Sequence, residues 1–123
     1  FEIFYDGLVV SWQYGTQGQG TYKQGSEQSK RYLEFGIETQ DAENAKGSLV
    51  TIRMIGCKSI VLNETPTAWF NVLSSGLHIL DCGDVLGLEF GDLAEAPLTM
   101  QDLQNSRFHV VAEALIWHVS PIP

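Results

Sequence analysis

The alternation of apolar and polar residues from Arg31 to Gln40 constrains the fold more than any other feature. Leu33, Phe35 and Ile37 would share one face of an extended chain with Thr39. The opposite face would carry Tyr32, Glu34, Gly36 and Glu38. A period of two residues belongs to a strand with one buried face, whereas a helix needs a period near 3.6. This segment is therefore predicted to be a half-buried β-strand.

The same alternation returns after a short polar stretch. Residues 49–55 place Val50, Ile52 and Met54 on one face, and residues 41–47 form a polar loop that ends in Gly47. Two alternating runs joined by a short Gly-containing loop are typical of a β-hairpin. In such a hairpin Arg53 is expected to pair with Glu34 or Glu38 on the neighbouring strand.

Other short apolar runs predict further strands. They cover residues 8–14, 58–63, 77–81, 85–90 and 107–119, with a break or bulge at Gly56-Cys57. The run 107–119 is apolar at both odd and even positions, which predicts a central strand buried on both faces. Between these runs, residues 15–30 are rich in Gly and Gln and predict a flexible loop.

Two segments favour short helices. Thr65-Pro66 suits a helix start, so residues 65–73 are expected to form one or two helical turns. Thr99 followed by Asp102 has the form of a capping box, which predicts a short helix to Asn105. The prediction for the whole chain is a single globular domain over residues 1–123. The predicted fold is mainly β: an antiparallel sandwich, roll or barrel of about seven strands with one or two short helices. A β-rich α+β fold is the alternative.

The charge of −8 is unevenly distributed. Residues 59–106 contain no Lys or Arg, but they contain seven acids: Glu64, Asp81, Asp84, Glu89, Asp92, Glu95 and Asp102. An acidic field repels nucleic acid and anionic membranes and attracts basic partners. We therefore expect no direct nucleic-acid or membrane contact, and a protein partner with a basic surface.

The sequence contains no pattern that predicts catalysis. His109 and His118 fall on opposite faces of one strand and cannot share a metal there. Cys57 and Cys82 lack zinc-ligand spacing. They are expected to be two buried free thiols, which favours a cytoplasmic location, with one disulfide between them as the alternative. No enzyme activity, no cofactor and no metal are expected. The candidate functional residues are instead the acids placed in loops, where they can meet a partner: Asp81, Asp84, Asp92, Glu95 and Asp102.

The opening Phe4-Tyr5-Asp6-Gly7, an aliphatic strand, and the pair 32–39 and 49–54 resemble bacterial immunity proteins of polymorphic or contact-dependent toxin systems. The resemblance covers about half of the chain and includes no diagnostic motif. It implies inhibition of a cognate toxin by direct binding. The acidic surface points to a basic, nuclease-like toxin.

Two other classes of function remain open at this point. One is an inhibitor that mimics nucleic acid through its acidic groups, such as an anti-CRISPR protein. The other is a structural or ligand-binding β-domain, such as a phage particle component.

Overall fold

The computed structural model describes residues 7–17, 30–40, 47–63, 72–73 and 76–121. These residues form seven strands and one short helix: β1 Gly7–Gln17, β2 Lys30–Gln40, β3 Gly47–Leu62, β4 Val72–Leu73, β5 His78–Asp81, β6 Leu86–Glu89, α1 Met100–Gln104 and β7 Phe108–Pro121. All strands belong to one antiparallel sheet with the order β4-β1-β2-β3-β7-β6-β5. The predicted mainly β, antiparallel fold with about seven strands is confirmed.

The hairpin of β2 and β3 supplies the centre of the core. Leu33, Phe35 and Ile37 are at most 2% exposed, and their partners Met54, Ile52 and Val50 at most 3%. On the opposite face Arg53 lies directly across from Glu34, and its Nη2 is 3.1 Å from Glu34 Oε1. The alternation in the sequence thus assigned both faces correctly.

The sheet curls around its core. Phe35 on β2 and Phe90, directly after β6, bring their ring centres to 4.9 Å, although β3 and β7 lie between these strands. In a flat sheet three strand spacings would hold the two residues about 14 Å apart. Trp12 on β1 is one strand further away and still lies 5.4 Å from Phe90. This aromatic contact closes the concave face of the sheet.

A β-bulge lies between Cys57 and Ser59 of the long strand β3. The predicted break at Gly56-Cys57 is therefore a bulge inside one strand. Gly56 has a φ of +69°, a backbone conformation that L side chains rarely adopt. Since a bulge bends a strand and increases its twist, it helps the sheet to curl.

The prediction of a flexible loop over residues 15–30 is wrong at both ends of this range. Gly15 and its two successors continue β1 to Gln17, and Lys30 already belongs to β2, while residues 18–29 lie outside the described residues. Tyr32 pairs with Gly15, and a Cβ on Gly15 would lie 2.8 Å from the Tyr32 hydroxyl. The aromatic ring thus covers the position where Gly15 has no side chain.

Two further expectations need correction. The helical turns expected at 65–73 end in strand β4 at Val72–Leu73, because these residues pair with the start of β1. Residues 64–71 lie outside the described residues. Cys57 and Cys82 are free thiols, but the prediction that both are buried is wrong: Cys57 is half-buried, and Cys82 is exposed because it lies at the β5–β6 turn.

Strand β7 is buried on both faces only in its first half. Residues 108–112 are all buried, but Ile116 and Trp117 are 55% and 57% exposed. The predicted central strand is therefore wrong for the second half of β7, because β6 pairs only with residues 109–112. The sequence pattern shows which residues of a strand are apolar. It does not show whether a neighbouring strand will cover them.

Candidate functional site

The long connection from β6 to β7, residues 90–107, is the part of the acidic region with the most developed structure. It includes α1 and packs back onto the sheet through Leu103, which is fully buried. A Cβ on Gly87 of β6 would lie 2.5 Å from Leu103 Cδ2, so a side chain at this position would force the Leu103 side chain to shift. The connection is thereby seated on β6.

Glu89, the last residue of β6, holds the start of this connection. The backbone N–H groups of Gly91 and Asp92 donate to Glu89 Oε2 at 2.6 and 3.2 Å, and that of Leu93 donates to Oε1 at 2.7 Å. The carboxylate is fully buried, and these three donors compensate for its lost hydration. Both oxygens are engaged, so Glu89 has a structural function in the loop.

Burial raises the pKa of Glu89 above its ordinary value, although the three N–H donors and the nearby His78 oppose this effect. His78 lies across from Glu89 on β5, with its Nδ1 at 3.7 Å from Glu89 Oε1. That nitrogen is buried and has no hydrogen-bond partner among the described residues. His109, on the other side of Glu89, has its Nδ1 2.8 Å from the Ser106 carbonyl oxygen.

Asp92 and Arg107 join the two ends of the connection. Arg107 Nη2 and Nε donate to Asp92 Oδ1 at 2.6 and 3.1 Å, and the Arg107 backbone N–H donates to Oδ2 at 2.7 Å. The hydrogen bonds from Arg107 lower the pKa of Asp92. Arg107 is the first basic residue after residues 59–106, which contain no Lys or Arg, and it neutralises the charge of Asp92.

Two more of the predicted site residues have local structural functions. Asp102 Oδ2 accepts from the N–H groups of Leu98 and Thr99 at 3.1 Å, and the Thr99 hydroxyl accepts from Asp102 N–H at 3.1 Å. This is the predicted capping box, and the helix ends before its C-cap Asn105. Asp81 Oδ1 accepts from Gly83 N–H at 2.9 Å and stabilises the β5–β6 turn.

Asp84 and Glu95 remain. Both are exposed, and neither forms a hydrogen bond or an ion pair within the described ranges. Their carboxylates are therefore available to an external cation.

The structure places the five predicted site residues in two segments of the chain. Asp81 ends β5 and Asp84 lies in the β5–β6 turn, whereas the other three lie in the connection after β6: Asp92, Glu95 and Asp102. Because Leu103 packs against Gly87, the helix that carries Asp102 lies over β6 itself. A partner that contacts all five would have to cover both the β5–β6 turn and this connection.

Glu95 and Asp102 border an open groove of about 400 Å³. It is lined by residues 93–98 together with Asp102 and Asn105. Leu98 belongs to this lining and is 83% exposed. The sequence pattern pointed to the acids and missed Leu98, because an isolated Leu in a loop gives no signal of its exposure. An exposed apolar side chain between two carboxylates can contact an apolar residue of a partner, while the carboxylates bind neighbouring bases.

No protein-family model, curated protein or solved structure matches the chain. Among the described residues, no three His, Cys, Asp or Glu side chains are placed as ligands of one metal ion. The helix described here is too short to cross a membrane.

Proposed function

We propose that this chain is a non-catalytic binding protein whose acidic groove surface docks a protein with a basic surface. The groove surface consists of Glu95, Leu98 and Asp102, with Asp84 of the β5–β6 turn as a second contact. The observation that carries the proposal is Leu98, which is 83% exposed between acids in a stretch that contains no Lys or Arg. Because surfaces normally mix both signs, a one-signed stretch with an apolar centre favours a specific partner.

The groove surface is preorganised. Glu89 holds the residues before the groove, the Asp92–Arg107 pair joins the ends of the connection, and the capping box holds the backbone of Leu98. A loop already held in one conformation loses little entropy on binding, so more of the contact energy appears as affinity. Full burial of the Leu98 side chain would contribute about 1.5–3 kcal/mol.

The resemblance to immunity proteins supports a more specific form of this proposal. In that form the partner is a cognate toxin with a basic, nuclease-like surface, and binding neutralises it in the cytoplasm. The charge distribution supports the same form, because a complementary acidic field would accelerate association with a basic cleft. An inhibitor that acts at this surface needs no active site of its own.

The test begins with capture of partners on the immobilised chain, followed by measurement of the affinity of the purified partner at several salt concentrations. The variant carries Leu98→Ala, Glu95→Gln and Asp84→Asn together. We expect at least a tenfold weaker affinity, equivalent to about 1.4 kcal/mol, and a smaller salt dependence. The control variant Glu38→Gln removes one exposed carboxylate from β2 and should bind as the unsubstituted chain does.

Equal affinity of both variants would leave the acids with a role in solubility alone. The toxin form has a separate test. The captured partner is expressed in bacteria with and without this chain, and growth is measured. Restored growth with the unsubstituted chain, but not with the triple variant, is the expected result.

A further inference from the structure

The second half of β7 presents an open strand edge. Residues 113–121 pair with β3 on one side, whereas β6 on the other side reaches no further than Ala112. Within the described ranges, no strand pairs with the second edge of residues 113–121. Such an edge displays a row of backbone donors and acceptors that another strand can pair with.

The side chains on this edge favour pairing. Ile116, Trp117 and Val119 are 55%, 57% and 49% exposed, and residues 114–120 contain no Asp, Glu, Lys or Arg. Natural proteins protect open edges with charges, proline, bulges or very short strands. The pairing of residues 114–121 with β3 shows no bulge, and a proline appears only at position 121.

The edge on the opposite side of the sheet is more polar. Strand β4 covers only Gly7 and Leu8 of β1, and β1 has a register shift between Val9 and Ser11. A bulge interrupts the regular display of backbone groups that a second strand needs. Beyond this shift β1 pairs regularly with β2 as far as Gln17, but residues 11–17 are mostly polar, so the open edge of β7 is the more apolar one.

We propose that the edge strand Ala114–Ser120 pairs antiparallel with the same strand of a second copy of this chain. The composition of this strand favours a second copy as the occupant, because each copy then covers the exposed apolar residues of the other. Two copies, each with a net charge of −8, repel wherever their acids meet, and an uncharged strand is where they can approach. A basic partner would find no carboxylate on this strand, so the edge suits it poorly.

A two-fold axis at Trp117 gives a self-consistent register. Trp117 then faces Trp117 of the second copy, Leu115 faces Val119, and Glu113 faces Pro121. The carboxylates of the two copies therefore do not meet across the axis. Trp117 also ends a cross-strand row through Ile52, Phe35 and Trp12, so pairing would continue an apolar row from one copy into the other. Aromatic cross-strand pairs of this kind stabilise antiparallel strands.

The test is a charge exchange at the proposed axis, with molar mass measured by sedimentation over a concentration series. The unsubstituted chain is expected to reach twice the mass of one chain. Trp117→Lys and Trp117→Glu should each be monomeric, because like charges face each other. Their equimolar mixture should regain the double mass, because Lys then faces Glu. The control Val10→Lys alters a residue of β1 that is 46% exposed and should leave the dimer intact.

A monomeric unsubstituted chain throughout the series would overturn the proposal, as would loss of the dimer in Val10→Lys. Failure of the mixture to associate would also overturn it, provided that both Trp117 variants keep the far-ultraviolet circular dichroism of the unsubstituted chain. Amide exchange supplies a measurement without any substitution. Protection of residues 114–120 that rises with concentration supports pairing, and protection independent of concentration contradicts it.

Discussion

Asp92 and Arg107 stand fifteen residues apart in the chain and form a forked ion pair, with Arg107 Nη2 at 2.6 Å from Asp92 Oδ1. The Asp92 side chain is 10% exposed and that of Arg107 is 53% exposed. The pair closes the connection that carries the groove surface. Its importance therefore lies in loop geometry more than in the stability of the sheet.

Asp92→Asn should loosen the connection. We expect the free energy of unfolding to fall by about 1 kcal/mol, a value kept small because Arg107 is solvent-exposed. Amide exchange of residues 93–105 should accelerate, as hydrogen-exchange mass spectrometry would show. Glu34→Gln is the matched control, because it removes the ion pair with Arg53 on the sheet and should leave exchange in 93–105 unchanged. Equal exchange in both variants would show that the pair does not hold the loop.

The buried Glu89 should make stability depend on pH. Its folded pKa lies above the ordinary 4.5, so the folded state binds the proton more tightly than the unfolded state. Stability should then fall as the pH rises from 4.5 through the folded pKa. Asp92 has the opposite sign, because its pKa is lowered from 3.8, and its contribution is lost only as the pH falls below that value.

Thermal melts across this pH range, with Glu89→Gln as the variant, measure the effect. The variant should lose the decline in stability above pH 4.5. It should also be less stable at neutral pH, by about 1–3 kcal/mol, because an amide cannot accept all three N–H groups. A decline of the same slope in the variant would assign the effect to another group.

Gly56 and Gly83 allow a comparison of how much a Gly→Ala substitution lowers the free energy of unfolding. Both have positive φ, but a Cβ on Gly56 would lie 2.7 Å from the Glu113 carboxylate. A Cβ on Gly83 would have no atom within 4 Å. Gly83→Ala should cost about 1 kcal/mol of conformational strain. Gly56→Ala should cost clearly more, because the ion pair of Glu113 with Lys58 must also shift. Urea unfolding checks both, and equal costs would mean that Glu113 moves away freely.

Phe90→Leu should weaken the closure of the curled sheet. It removes the ring contacts with Phe35 and Trp12, so we expect a loss of about 1–2 kcal/mol in urea unfolding. Leu98→Ala serves as the control and should unfold as the unsubstituted chain does, because its side chain is 83% exposed. A large loss from Leu98→Ala would contradict its assignment to the binding surface.

Local features of the sequence predicted much of this structure. The alternation in β2 and β3 defined the core face, and the capping box at Thr99 and Asp102 defined the start of α1. Both signals come from residues close together in the chain, where period and hydrogen bonding are decided locally. The five acids were predicted as one site from charge alone. Charge alone does not show what a carboxylate will bind, and in the structure three of the five have local partners: Asp81 in the β5–β6 turn, Asp92 with Arg107, and Asp102 in the capping box.

The sequence by itself determined the fold class, the buried face of the central hairpin and the acidity of residues 59–106, because each is a property of residue type and local period. The tertiary structure alone decided which acids are neutralised, since Asp92 meets Arg107 only after the chain returns to β7. It also decided that β7 is central at Val110 and open at Trp117. Apolar residues look the same in both halves of that strand, and only the short length of β6 leaves the second half exposed.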